Sequence, residues 1–213
     1  MTALVEALQA SLGEARAKSA RLERALAEAE ERQAATAEIL KVISGSPADV
    51  RPVLEAIAES AMRLFGAWSA SIFRYEGGLI RAMVARGGLP GSSEAMMEDL
   101  AVPHAPSEDT PEGRAVLTRL VQHVVDVDSD PSSSPRLREL ARVRGFRAVL
   151  AVPMFHRDDV VGVVVLSTDR DGGFAPAEVA LLQTFAAQAV IAIENARMFD
   201  DLRLALDQQT ATS

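Results

Sequence analysis

Ala148-Val149-Leu150-Ala151-Val152-Pro153-Met154-Phe155 and, after the polar link His156-Arg157-Asp158-Asp159, Val160-Val161-Gly162-Val163-Val164-Val165-Leu166-Ser167 are two apolar runs joined by a short turn. Apolar runs of this length read as central strands buried on both faces of a sheet. The short link makes them an antiparallel hairpin. Pro153 conflicts with a central position because proline cannot donate to the ladder, so a local irregularity is expected there.

Downstream, Pro176 starts a long helix that continues toward the C-terminus. Val179, Leu182, Phe185, Ala186, Ala189, Ile193, Ala196 and Phe199 recur at helical spacing and can lie on the sheet. Upstream, Pro135 to Arg144 reads as a helix, Val121 to Val127 as a strand and Gly113 to Leu120 as a short helix. Trp68 to Tyr75 alternates, Gly77-Gly78 supplies a turn, and Leu79 to Ala85 forms the return strand of a first hairpin. Between the hairpin and Gly113 the chain is loop-like, with Gly87, Gly88, Pro90 and Gly91 close together and a short helix expected around Glu94 to Asp99. A long irregular segment inside a domain is a lid candidate. Another helix comes after Ser44-Gly45-Ser46-Pro47, with Asp49 as N-cap, Pro52 in its first turn and Val53, Ile57, Ala61, Leu64 and Phe65 on its apolar face.

Residues 1 to 43 contain no proline and only Gly13, and their apolar residues fall into heptads. Leu8, Leu12, Ala15, Leu22, Leu26, Ala29, Gln33 and Leu40 lie on the resulting a and d seam. The four-residue pattern Leu26, Ala29, Gln33, Thr36 recurs as Leu202, Ala205, Gln209, Thr212. A compact domain is therefore expected between two helices of one kind: residues 1–43 as a coiled-coil signalling helix, 47–198 as the domain, and 199–213 as an outgoing extension. Polar Ser19 and Gln33 and the small d residues weaken the seam. That suits either a helix that must change its packing or an unoptimised spacer.

The chain of 213 residues carries a net charge of -8 and no cysteine. Its acidity argues against nucleic acid as a partner. The absence of cysteine excludes disulfides, thiolate metal sites, cysteine nucleophiles and thioether-linked chromophores. No run reaches the roughly 18 apolar residues that span a bilayer, so membrane insertion is not expected. Without a basic segment followed by an apolar one at the start, no signal peptide is expected, and the location reads as cytoplasmic.

The order helix, hairpin, irregular segment, strand, helix, hairpin and long exit helix resembles the GAF domain. The similar segments are Val53-Leu54-Glu55-Ala56-Ile57-Ala58-Glu59-Ser60-Ala61, the helix start Gly113-Arg114-Ala115-Val116, the run Ala148 to Met154 with its partner Gly162 to Leu166, and Phe174-Ala175-Pro176-Ala177-Glu178 leading into Ala187 to Ala196. They are most similar to GAF modules of bacterial sensor histidine kinases and nucleotide cyclases. The resemblance implies an α+β fold with an antiparallel sheet of about six strands, helices on both faces and a small-molecule pocket under a variable lid. It also implies a parallel homodimer through the flanking helices and a downstream histidine kinase or cyclase output domain in a two-component pathway. The chain is then a piece of a longer receptor or a standalone relative.

The resemblance leaves the ligand open. Cyclic-nucleotide-binding GAF domains carry an Asn-Lys pair where this chain has Leu166-Ser167-Thr168-Asp169, and only Phe174 and Glu178 match the later positions of that pattern. Cysteine-linked bilin and cysteine-dependent sulfoxide reduction are excluded. Haem is not expected, because His104, His123 and His156 lack metal-ligand spacing. His156-Arg157-Asp158 copies the start of a kinase catalytic loop but lacks the following Leu and the later Asn, and it reads as a turn. The expected pocket walls are Phe73, Met83, Val152, Met154 and Val165, with Arg81 or Arg114 available to an anionic group. The main expectation is a non-catalytic sensory module that transmits a signal through its helices. The alternatives are a constitutive dimerisation spacer without ligand, and a small enzyme built on a polar cleft of His123, Asp126 and Asp128.

Overall fold

The structure is a computed structural model that describes residues 13, 16–23, 51–88 and 102–211; in the last helix, side chains are described to residue 191 and at 193, 194 and 198. The expected cap Asp49, the helix at Glu94 to Asp99 and every seam side chain except Ser19 and Leu22 lie outside the described residues. The chain divides into two units, Met1–Leu40 and Lys41–Ser213. In the first, residues 16–23 are helical and the Ser19 hydroxyl donates to Glu23 one turn on, at 3.1 Å.

The second unit runs α1 (Arg51–Phe65), β1 (Ser69–Glu76), β2 (Leu79–Gly87), α2 (Pro111–Thr118), β3 (Gln122–Val124), α3 (Pro135–Arg144), β4 (Ala148–His156), β5 (Asp159–Thr168) and α4 (Pro176–Ala211). The strands form one antiparallel sheet in the order β2-β1-β5-β4-β3. The hairpin read first in the sequence thus occupies the centre. Both hairpins close through two-residue turns, Gly77-Gly78 and Arg157-Asp158. At Gly77 and Gly78 φ is 60° and 80°, the left-handed conformation that such turns require.

The sheet has five strands, not the six that the resemblance implies. Next to β2, among the described residues, a single bridge stands in place of another strand: Ile80 N–H donates to His104 O at 2.8 Å and His104 N–H to Ile80 O at 3.1 Å. Pro106, two residues past the bridge, supplies no N–H where the next ladder bond on that side would form. β3 is also shorter than expected, at three residues. The irregularity expected at Pro153 falls one step on, as a register shift between Met154 and Phe155.

Period-two alternation divides the buried side chains between two layers. Ala70, Ile72, Leu150, Val152, Val164 and Leu166 face α1 and α4, where Leu54, Ile57, Leu182 and Phe185 are buried. Phe65 of α1 meets Phe185 of α4 edge to face at 5.9 Å between ring centres. Each fully buried side chain of this size contributes about 1.5–3 kcal/mol. On the other face, Phe73, Ala82, Ala151 and Val163 pack with Ala115 and Val116 of α2, while Val149 packs with Leu137 and Ala141 of α3 and with Phe146.

Candidate functional site

Serine interrupts the apolar pattern on the α2/α3 face. Ser69 and Ser71 of β1 and Ser167 of β5 alternate with Phe73 and Val165, and the register places Ser69 opposite Ser167 and Ser71 opposite Val165. The Ser69 and Ser167 hydroxyls lie 2.6 Å apart. Above them is a cavity of about 60 Å³ walled by Phe73, Leu137, Leu140, Phe146, Val149 and Val165, with Pro111, Glu112 and Arg144 completing the lining. That volume holds about four or five waters or a very small ligand.

Helix α2 brings Glu112 to the cavity. Thr110 caps the helix, its Oγ1 accepting the Gly113 N–H at 3.2 Å, and Pro111 occupies the first turn with a preset φ. Gly113 lets the segment at Ser107 cross closely, since a Cβ there would stand 2.1 Å from Ser107 O. The Glu112 side chain is 10% exposed, and its Oε1 lies 4.0 Å from His104 Nε2. The far wall is fixed by Trp68, whose Nε1–H donates to Arg144 O at 2.9 Å, and by Ser134, which caps α3 by accepting the Leu137 N–H at 3.0 Å.

Of the expected pocket residues, Phe73 and Val165 line this cavity. Arg114 points elsewhere: its Nη1 donates to Ser132 O at 3.0 Å and Ser132 Oγ at 3.2 Å, and its Nε and Nη2 are buried without a partner. Arg81 and Met83 line a separate depression of about 250 Å³ with Arg74, Glu76, Leu79 and Pro103. Val152 lies on the α4 side, in a groove of about 280 Å³ that includes Pro153, Phe155 and Ala186. Met154 is buried, its methyl filling the space that a side chain at Gly162 would need. Sequence reading missed Glu112 and the three serines. The signals present were Thr110-Pro111, which starts the helix early enough to include Glu112, and the polar alternation within β1.

The groups considered for metal or acid-base chemistry hold the fold together. His123 Nε2 accepts the Phe174 N–H at 3.2 Å, and burial lowers its pKa against a smaller opposing effect of Glu178. Asp126 pairs with Arg147 at 3.1 Å, and this hydrogen bond holds its carboxyl below the usual range. Arg147 also pairs with Asp171. Among the described residues no group of three or more His, Asp or Glu side chains is placed to hold a metal ion. His156-Arg157-Asp158 lies at the β4–β5 turn, where His156 Nδ1 is 3.6 Å from Glu194 of α4. Phe174 is buried, and Glu178 accepts the Ala175 N–H at 2.6 Å while pairing with Arg170 at 3.0 Å.

A central antiparallel hairpin under a long terminal helix, within a five-stranded sheet that carries helices on both faces, defines an α+β domain. The GAF domain family matches residues 49–193, and the chain belongs to that family. The fold is similar to the GAF domain/HD domain protein of Geobacter sulfurreducens, at 22% identity over 73% of this chain and 98% of the other, with a TM-score of 0.60. It is also similar to a domain of a putative two-component sensor histidine kinase of Sinorhizobium meliloti, at 24% identity over 73% and 97% with a TM-score of 0.57. A free methionine-R-sulfoxide reductase of Neisseria meningitidis, solved with its substrate, matches at 16% identity over 78% and 90% with a TM-score of 0.62. The fold therefore occurs both in a domain of a sensor histidine kinase and in a sulfoxide reductase. No described helix is long and apolar enough to cross a membrane.

Proposed function

We propose that the chain is a non-catalytic, cytoplasmic GAF module that dimerises in parallel through its flanking helices and passes the state of its cavity to an output domain or partner. One observation carries this reading. Helix α4 packs on β4, β5 and α1, yet it presents exposed Ile191 and Met198, 54% and 60% accessible, one heptad apart. The same seven-residue step leads in the sequence to Ala205 and Thr212 of the repeated seam. A helix that belongs to the core at one end and carries a coiled-coil stripe beyond it can convert a shift of the sheet into a change of helix packing.

The cavity favours a second reading. At about 60 Å³ it is much smaller than the several hundred Å³ of most ligand sites, as suits a dimerisation spacer without ligand. Analytical ultracentrifugation of the full chain tests the shared element. A concentration-dependent dimer is expected, and a strict monomer at high micromolar concentration overturns both readings. Thermal shift against cyclic nucleotides, 2-oxo acids, amino acids and haem separates them, since uniformly flat responses favour the spacer.

A further inference from the structure

We propose that the cavity takes a small protonated amine, with Glu112 as its counter-ion and Ser71 as a second acceptor. This rests on the sensory reading above and names its ligand class. The Glu112 side chain is nine-tenths buried, and its closest basic neighbour among the described residues, His104 Nε2, stands at 4.0 Å, beyond hydrogen-bond reach. The Glu112 carboxylate makes no hydrogen bond among the described residues, so its oxygens are open to a donor. Ser71 is 7% exposed and lines the same cavity, and its hydroxyl makes no hydrogen bond among the described residues. Ser69 and Ser167 share one hydrogen bond and keep free lone pairs.

The groups open to a ligand here are thus mainly acceptors, and a carboxylate can only accept. Their complement is a group with several donors and no acceptor, which describes an ammonium. An alcohol offers one donor, and an anion is repelled by Glu112. Arg144, the cation that also lines the cavity, has an interaction of its own. Phe73, Leu137 and Phe146 leave apolar surface for a short alkyl stem, and the volume limits the ligand to a few non-hydrogen atoms. The net charge of -8 raises the local concentration of cations around the protein.

Isothermal titration and thermal shift of the full chain with n-propylamine, ethanolamine and acetamidine, set against 1-propanol and propionate, test this. Saturable binding of at least one cation is expected, with no saturation by the alcohol or the carboxylate. Glu112→Gln keeps the shape and removes the charge, and it should weaken the cation about tenfold or more. Ser71→Ala should weaken it by a smaller factor. If Glu112→Gln fails to fold, the Ser71→Ala result and the ligand panel still decide. Preference for propionate or propanol, or equal affinity in wild type and both variants, overturns the amine while leaving a ligand-binding module in place. A flat response to all five compounds, with dimerisation intact, overturns the amine and favours the spacer.

Discussion

The Phe174 N–H donates to His123 Nε2 across 3.2 Å, joining edge strand β3 to the residue two before helix α4. The acceptor must be the unprotonated ring nitrogen, so this joint exists only with neutral His123. The two rings also lie close, with centres 6.0 Å apart. Glu178, which faces the imidazole, is itself engaged by Arg170 and the Ala175 N–H.

Stability should therefore depend on pH. Burial lowers the His123 pKa below the 6.5 of the unfolded chain, so the unfolded state takes up the proton first. The contribution is fully present above about pH 6.5 and is lost as pH falls through the folded-state value. Denaturant midpoints should drop on this limb, and His123→Gln, which keeps an acceptor but does not titrate, should flatten it. The carboxyls of Asp126 and Asp130, both held low by hydrogen bonds, act in a separate window below their usual 3.8. An unchanged limb in the variant would show that His123 is not its origin.

Gly162 tests the centre of the sheet. A Cβ there would lie 2.2 Å from Phe73 O and 2.3 Å from the Met154 methyl. Gly162→Ala should cost about 1–3 kcal/mol in urea unfolding. Adding Met154→Ala should recover little, because the Phe73 carbonyl is backbone and cannot retreat.

The cap of α3 gives a smaller effect. Ser134 accepts from Leu137 N–H and donates to Asp109 O at 2.6 Å, tying the helix start to the segment before α2. Ser134→Ala should destabilise by about 0.5–2 kcal/mol and Ser134→Gly by less than the alanine, as caps usually behave. Equal losses in both variants would place the effect in the Asp109 bond instead.

Association should respond to the helical stripe. Replacing Gln33 with Leu removes a polar seam residue and should tighten the dimer in sedimentation. Ile191→Asp with Met198→Asp, both at exposed positions, should loosen it without lowering the unfolding midpoint of the domain. No change in either case would remove these residues from the interface.

Strand and helix identities are legible in the sequence because their signals are local. Apolar runs, the Gly77-Gly78 turn and the prolines at helix starts all act within a few residues. Which face a strand residue occupies is not. Val149 to Met154 is apolar throughout, so nothing in that run distinguishes the cavity side from the α4 side, and a shift of one position exchanges them. Val152, expected at the cavity, lies in the α4 groove, while Val149 lines the cavity. Glu112 is hidden for another reason. Taking Gly113 as the helix start leaves it in a loop, although Thr110-Pro111 is a cap followed by an N1 proline.

The contact of His156 with Glu194 falls midway along α4, which continues to Ala211. At 1.5 Å per residue, the part beyond Glu194 is a rod of roughly 25 Å with one end on the domain. A rod of that length is a lever arm. A tilt of about 5° at Glu194 would carry its far end by roughly 2 Å, the scale on which helices shift at subunit interfaces. Rearrangements of the core too small to alter its packing would thus be magnified at the end of the helix.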